Sequence, residues 1–311
     1  MVRDVKVVWQ YGNICNTTCP YCLNAAAAKA NYRNATLDET NRVVEVLNSI
    51  PVQRVNFIGG EPTCFAHLLH ALRHLDCPEI ELSTNGLRDD IVAEAAQTMA
   101  DTGRVLHLCF SVHPHLVEVD PVAYRARVEQ YMAMAANGLL DMDIMLVVDG
   151  HHPPSRTLVD FATWLTGHDW RGSTRLTTTF VRVGADPQQH VVDFVKAYQA
   201  AAVLPDVFRQ LLRLSERADV LRPNPWQGKP CQMFRYQFTL QLDGYLRSSD
   251  CVQGKLSRRS VYDPAFDWND EIITCTCTQP HMVSNGNCMA AHDVHDYKDT
   301  LFTVNLAKTI T

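Results

Sequence analysis

The sequence predicts an α/β protein: a partial, open (β/α)6 barrel followed by a small C-terminal domain that contains a β-hairpin. Three observations carry this. Strand-like runs alternate with helical ones through about residue 200. The alternation stops at six units, short of the eight of a closed barrel. A breaker-rich stretch with Pro223, Pro225, Gly228 and Pro230 then separates these units from a tail of different composition. The domains are read as residues 1–221 and 222–311.

The elements follow in order. Val5 to Val8 opens as a strand, and a helix runs from about Asp38 to Ile50. A strand at Arg54 to Ile58 leads to a helix at Ala66 to Leu75. Next come a strand at Ile80 to Ser83, a helix near Ile91 to Ala100, a strand at Val105 to Val112 and a helix at Pro121 to Asn137. The last units are a strand at Asp141 to Val148, a helix at Ser155 to Leu165, a strand at Arg175 to Val181 and a helix at Pro187 to Ala202. In the tail, Phe234 to Leu242 is strand-like, Asp243-Gly244 is a hairpin turn signal and Tyr245 to Arg247 begins the return strand.

The chain has 311 residues, 46% hydrophobic and 20% charged, which is ordinary for a protein that buries a core. It has neither an apolar run long enough to span a membrane nor a secretory signal at its start, so a soluble, cytoplasmic protein is expected, with no membrane partner. A net charge of -6 argues against broad binding to nucleic acid and is compatible with a cationic small-molecule substrate.

Eleven cysteines are many for such a chain, and in a reducing compartment they point to metal or redox chemistry before disulfides. Eight of them form two groups, and Cys64, Cys77 and Cys109 fall between. Cys15, Cys19 and Cys22 follow directly on the first strand, whereas Cys231, Cys251, Cys275, Cys277 and Cys288 lie in the last third. Iron-sulfur cubanes ordinarily take four thiolates, so three on one loop leave one iron open to a ligand. A structural zinc site with a distant fourth ligand is the other reading of the spacing.

The C-x3-C-x2-C spacing, with the aromatic Tyr21 before the last cysteine, resembles the signature of the radical S-adenosylmethionine superfamily. Gly59-Gly60-Glu61-Pro62 after the second strand resembles the segment that, in this family, binds the methionine amino group of the cofactor. Weaker matches are Ser83 and Asn85 after the third strand, Ser111 at the end of the fourth, and Arg125 near a family arginine that pairs with the cofactor's carboxylate. Met145 to Val148 and Val181 fall where strand ends contact adenine. The resemblance implies S-adenosyl-L-methionine and a radical-generating [4Fe-4S] cluster on Cys15, Cys19 and Cys22. An external one-electron donor, such as flavodoxin or ferredoxin, would reduce that cluster. The expected reaction is reductive cleavage to a 5'-deoxyadenosyl radical that takes a hydrogen atom from the substrate.

The tail resembles the SPASM or shorter twitch appendages of the same superfamily, which hold an auxiliary [4Fe-4S] cluster. Six residues separate Gly244 from Cys251 where that pattern has four, so Cys251 departs from it, and Cys231, Cys275, Cys277 and Cys288 suffice to close one cluster. Cys251 is then a catalytic thiol that returns a hydrogen atom to the substrate radical, or a cluster ligand despite the spacing, or a thiol that is buried or merely lines the site. Only fourteen residues precede Cys15, which leaves little room for a leader-peptide-binding domain and tilts the expectation toward a small molecule. The plan resembles that of the radical epimerases of aminoglycosides, and Glu118, Asp120, Asp149, Asp267, Asp270 and Glu271 are acids that could meet ammonium groups. The expected function is epimerisation of a sugar or aminoglycoside carbon. The alternatives are a radical dehydrogenase that uses the auxiliary cluster as electron acceptor, a peptide maturase, and a zinc-stapled binding module.

Overall fold

The computed structural model describes residues 5–19, 22, 32–149, 154–168, 173–179, 230–231, 237–247, 257–268 and 275–276. The first strand, β1 (Val5–Gln10), puts Val5, Val7 and Trp9 on a buried face and Lys6, Val8 and Gln10 on the other, as the two-residue period of a strand requires. Helix α1 (Leu37–Asn48) starts at Thr36 in a capping box. The Thr36 hydroxyl accepts from the Glu39 N–H at 3.2 Å, and the Glu39 carboxylate accepts from the Thr36 N–H at 2.8 Å. Its buried face is Thr40, Val43, Val44, Val46 and Leu47.

The alternation continues with β2 (Val52–Ile58), a single 3-10 turn at Pro62–Cys64, α2 (Leu68–His74), β3 (Glu79–Thr84), α3 (Asp89–Asp101) and β4 (Leu106–Val112). Two helices follow β4, a short α4 (Pro114–Val119) and α5 (Pro121–Ala136), where the sequence reading had only the second. Pro114 and Pro121 each stand in the first turn of their helix, a position that spares proline's missing N–H, and Asp120 caps α5 by accepting from the Ala123 N–H at 3.0 Å. Then come β5 (Leu140–Asp149), α6 (Arg156–Thr166) and β6 (Ser173–Thr179). The expected helix at 187–202 lies outside the described residues.

These six strands are parallel and neighbour one another in chain order, which gives an α/β fold on a mostly parallel sheet. The tail differs from its expected separation. Strand β8 (Gln237–Leu240) pairs in parallel with β1, Lys6 opposite Gln237 through Trp9 opposite Leu240, and β9 (Leu246–Arg247) returns antiparallel to it. The hairpin is therefore part of the main sheet, whose order is β6-β5-β4-β3-β2-β1-β8-β9. The physical reason is the β1 edge: its N–H and C=O groups need a partner, and β8 supplies one. Gly244 makes the turn at φ 76°, where a Cβ would meet the Ser260 hydroxyl. Two further short strands, β7 (Pro230–Cys231) and β10 (Cys275–Thr276), form a separate antiparallel pair.

The core lies between the sheet and the helices, with Trp9, Phe57, Leu72, Ile80, Phe110, Tyr131 and Phe161 fully buried. The other sheet face is polar. Arg54 reaches Glu79 and Glu81, Asn56 donates to Glu81 at 2.9 Å, and the Ser83 hydroxyl donates to Asn56 at 3.0 Å. Further along, His107 Nε2 lies 3.2 Å from Asp143, whose side chain is 9% exposed. Burial disfavours the His107 cation, but the hydrogen bond to Asp143 and the charges of Glu81 and Asp143 outweigh both that and Arg54 and raise its pKa above the usual histidine value. A raised folded pKa contributes stability that is present below the unfolded value and lost as pH rises through the folded one. Between about pH 6 and about pH 9, the urea midpoint of the wild-type protein should therefore fall further than that of a His107→Gln variant.

Candidate active site

The loops at the carboxyl ends of β1 to β4 meet. The cysteine loop after β1 is held to the loop after β2 by two backbone hydrogen bonds, Gly60 N–H to Gly12 O at 2.9 Å and Glu61 N–H to Ile14 O at 2.8 Å. Glycine is required here. Gly59 has φ 149°, and a Cβ on Gly59 or Gly60 would lie 2.4 Å from Gly12 O or 2.1 Å from Ile14 O. Asn34 braces the same loop from beyond it: its Oδ1 accepts from Ile14 N–H at 3.4 Å and its Nδ2 donates to Cys64 O at 3.1 Å.

Glu61 is 2% exposed. Its Oε1 accepts from the Thr63 N–H at 3.0 Å, the Thr63 hydroxyl at 2.7 Å and the Thr84 hydroxyl at 2.5 Å, and its Oε2 accepts from the Asn85 N–H at 2.9 Å. One carboxylate thus joins the end of β2 to the end of β3. Oε2 keeps a second lone pair, enough for one more donor such as an ammonium. Pro62 is buried in the first turn that Glu61 caps.

Asn85 extends the link. Its Nδ2 donates to the Asn16 side chain in the cysteine loop at 2.8 Å, and its Oδ1 accepts from Leu87 N–H at 3.0 Å. The Tyr124 hydroxyl donates to Asn85 O at 3.1 Å and lies 3.4 Å from Ser111 O, which brings the end of β4 into the same group. Gly86, at φ 68°, turns the chain away under Phe110 and Tyr131.

Cys15 and Cys19 are partly exposed and Cys22 is exposed. Burial raises the Cys15 and Cys19 thiols, Cys19 to about 11, and the negative charge of neighbouring cysteines raises Cys19 further. These thiols stay protonated at neutral pH unless a metal displaces their protons. Among the described residues no three His, Cys, Asp or Glu side chains converge on a single metal-ion position. A cubane instead takes its thiolates one per iron, around a body of several atoms, and three thiols that feel one another's charge on one loop suit that donor set.

The structure brings together Cys15, Cys19, Cys22, Gly59, Gly60, Glu61, Pro62 and Asn85 with Ser111. Ser83 faces elsewhere, into the polar sheet face through Asn56. Arg125 is held outside this group. Its guanidinium lies 5.2 Å from the centre of the Trp164 ring and donates to Asp160 O at 3.4 Å, in the seam between α5 and α6. Its neighbour Tyr124 turns inward in its place, because on a helix adjacent residues point about 100° apart. Among the acids, Asp120 is spent on capping α5. Tyr21, Val181, Cys251, Cys277, Cys288, Asp270 and Glu271 lie outside the described residues. Cys231 and Cys275 are directly opposed partners in the β7–β10 pair.

Sequence reasoning missed His113 and His115. His113 Nδ1 lies 3.9 Å from Cys19 Sγ, and His115 Nε2 lies 3.3 Å from the Thr17 hydroxyl. Burial lowers both imidazoles, His113 to about 4. The available signal was position: they follow the end of β4 directly, at the sheet edge where the cysteines emerge.

A Glu61→Gln variant should lose about 1–3 kcal/mol of stability, read from denaturant unfolding. Its amide NH2 would turn a donor toward donors already aimed at the carboxylate.

Residues 9–138 match the model of the Radical SAM superfamily. Over 101 residues the chain is 34% identical to a protein of Rhodopseudomonas palustris named PqqA peptide cyclase, which covers 32% of this chain and 26% of that one. Over 82 residues it is 32% identical to a probable GTP 3',8-cyclase of Pyrococcus horikoshii, 26% of each chain. The chain therefore spans about a quarter of the length of these relatives. Among solved structures, SuiB of Streptococcus suis bound to S-adenosylmethionine aligns at TM-score 0.48 and 14% identity, over 79% of this chain and 60% of that one. Native anSMEcpe with bound AdoMet aligns at TM-score 0.48 and 17% identity, over 83% and 78%. The cysteine loop, the Gly59-Gly60-Glu61 turn and strands β2 to β4 all lie inside the segment that resembles the Radical SAM superfamily.

Proposed function

We propose that this protein is a radical S-adenosylmethionine enzyme that abstracts a hydrogen atom from a peptide substrate. The observation that carries the radical chemistry is the cysteine loop fastened to Gly59-Gly60-Glu61 at the carboxyl ends of parallel strands. Cys15, Cys19 and Cys22 would each hold one iron of a [4Fe-4S] cluster and leave the fourth for the cofactor. The free lone pair on Glu61 Oε2 would orient the cofactor's ammonium, with the burial of Glu61 keeping water from competing. When bound, the cluster and S-adenosylmethionine supply a carbon-centred radical able to break an unactivated C–H bond. A low-potential one-electron donor, such as flavodoxin or ferredoxin, would reduce the cluster.

The peptide substrate is supported by the likeness to PqqA peptide cyclases in two organisms, over the sugar or aminoglycoside reading. The polar sheet face, with Arg54, Asn56, Glu81, Ser83 and His107, offers donors and acceptors suited to peptide groups. A cation could also meet Glu81 and Asp143 there.

For the fate of the substrate radical, the opposition of Cys231 to Cys275 supports both as ligands of an auxiliary [4Fe-4S] cluster, completed by Cys277 and Cys288. Cys251 is then left as the hydrogen donor of an epimerase. Its S–H bond would give a hydrogen atom to the substrate carbon, and the sulfur radical so formed would take one electron from the auxiliary cluster and one proton from solvent. If Cys251 gave no hydrogen, the substrate radical would lose one electron to an auxiliary cluster held by these cysteines and one proton to solvent, and the substrate would be oxidised by two hydrogens.

Anaerobically reconstituted protein should bind about eight irons per chain, two cubanes of four. The triple variant Cys15→Ala, Cys19→Ala, Cys22→Ala should lose half of that iron and all reductive cleavage of S-adenosylmethionine to 5'-deoxyadenosine. Retained cleavage would refute the assignment. In deuterium oxide, product of unchanged mass apart from one deuterium identifies hydrogen return, whereas loss of two hydrogens identifies dehydrogenation. Cys251→Ala should abolish deuterium incorporation while keeping its iron; loss of iron instead would make Cys251 a ligand.

A further inference from the structure

We propose that His113 donates a hydrogen bond from Nδ1 to the Cys19 sulfur and so sets the potential at which the cluster on Cys15, Cys19 and Cys22 is reduced. The inference rests on the radical reading above and extends it to a positioning residue outside the cysteine loop. Its basis is geometric. Nδ1 and Sγ are 3.9 Å apart, within reach of a hydrogen bond to a sulfur acceptor. The backbone of His113 is fixed: its carbonyl accepts from the N–H groups of Leu116 at 3.0 Å and Val117 at 3.2 Å at the start of α4, with Pro114 locking the first turn.

A second contact from the same corner stops the loop from sliding. His115 Nε2 meets the Thr17 hydroxyl, two residues before Cys19, and Thr17 itself hydrogen-bonds to Cys19. The end of β4 therefore grips the cysteine loop at two points. A thiolate offers only acceptor sites, so the tautomer with hydrogen on Nδ1 is the one that satisfies both partners.

The electrical consequence follows from charge. Reduction adds one electron to the cluster and increases the negative charge on its sulfurs, and a hydrogen bond to sulfur stabilises the more negative state. His113 thus raises the potential, which makes the cluster easier for a weak donor to reduce. No proton is transferred, and the electron comes from the external donor.

The experiment is a redox titration of reconstituted full-length protein, followed by electron paramagnetic resonance. The signal that changes when S-adenosylmethionine is added identifies the cluster concerned. His113→Phe and His113→Leu remove the donor with different volumes, so misfolding of one leaves the other readable; His113→Asn keeps an N–H near the Nδ1 position. The two apolar variants should bind as much iron as wild type but show a several-fold lower reduced fraction at the same ambient potential, and His113→Asn should restore most of it. Wild-type potential in either apolar variant would overturn the inference while leaving the radical reading intact. Loss of iron in both would make His113 architectural and overturn it equally. A wild-type protein with no signal that responds to S-adenosylmethionine would remove the radical reading and this inference together.

Discussion

The site depends on the carboxylate of Glu61. A buried charge is costly unless its oxygens are occupied, and here four donors from Thr63, Thr84 and Asn85 occupy them. Those donors belong to two different strand ends, so satisfying the charge fixes the distance between them. The same residue's backbone N–H fastens Ile14 O one position before Cys15. Electrostatic satisfaction of one side chain therefore positions the cysteine loop.

Much of the fold was legible because it rests on periodicity. The buried residues of β1 and α1 follow periods near two and near four, and Thr36-Leu37-Asp38-Glu39 announces its own helix start. The cysteine loop and the Gly-Gly turn were legible for another reason: spacing and glycine are local. What the sequence could not supply was long-range pairing. Nothing in Gln237 to Leu240 distinguishes a strand that forms its own small sheet from one that joins β1, because both satisfy the same backbone groups. Arg125 was misjudged in a similar way. Its neighbour Tyr124 faces inward and Arg125 packs on Trp164, a choice made by helix phase against β3 and β4 rather than by residue type.

The relatives and the geometry speak to different parts of the protein. The likeness to PqqA peptide cyclases and GTP 3',8-cyclases extends over roughly a third of the chain or less, and the family match covers residues 9–138. The polar sheet face from Arg54 to His107 and the two histidines at the β4 end both lie within that matched segment, and they differ in kind. The first is a field of hydrogen-bonding groups open to many ligands, whereas the second is aimed at one sulfur.

The parallel pairing of β8 with β1 has a mechanical consequence. The strand that ends at the first cysteine group is also the strand on which the tail is hung. In a parallel ladder each step of register moves the partner by about 3.3 Å and inverts the face its side chains present. The β1–β8 register works as a ruler between the cysteine loop and the hairpin: a change of one residue in that register would move the hairpin by about 3.3 Å along β1 and invert its faces. Loop chemistry on this scaffold is therefore free to change, while the spacing between loop and hairpin is held to whole-residue increments.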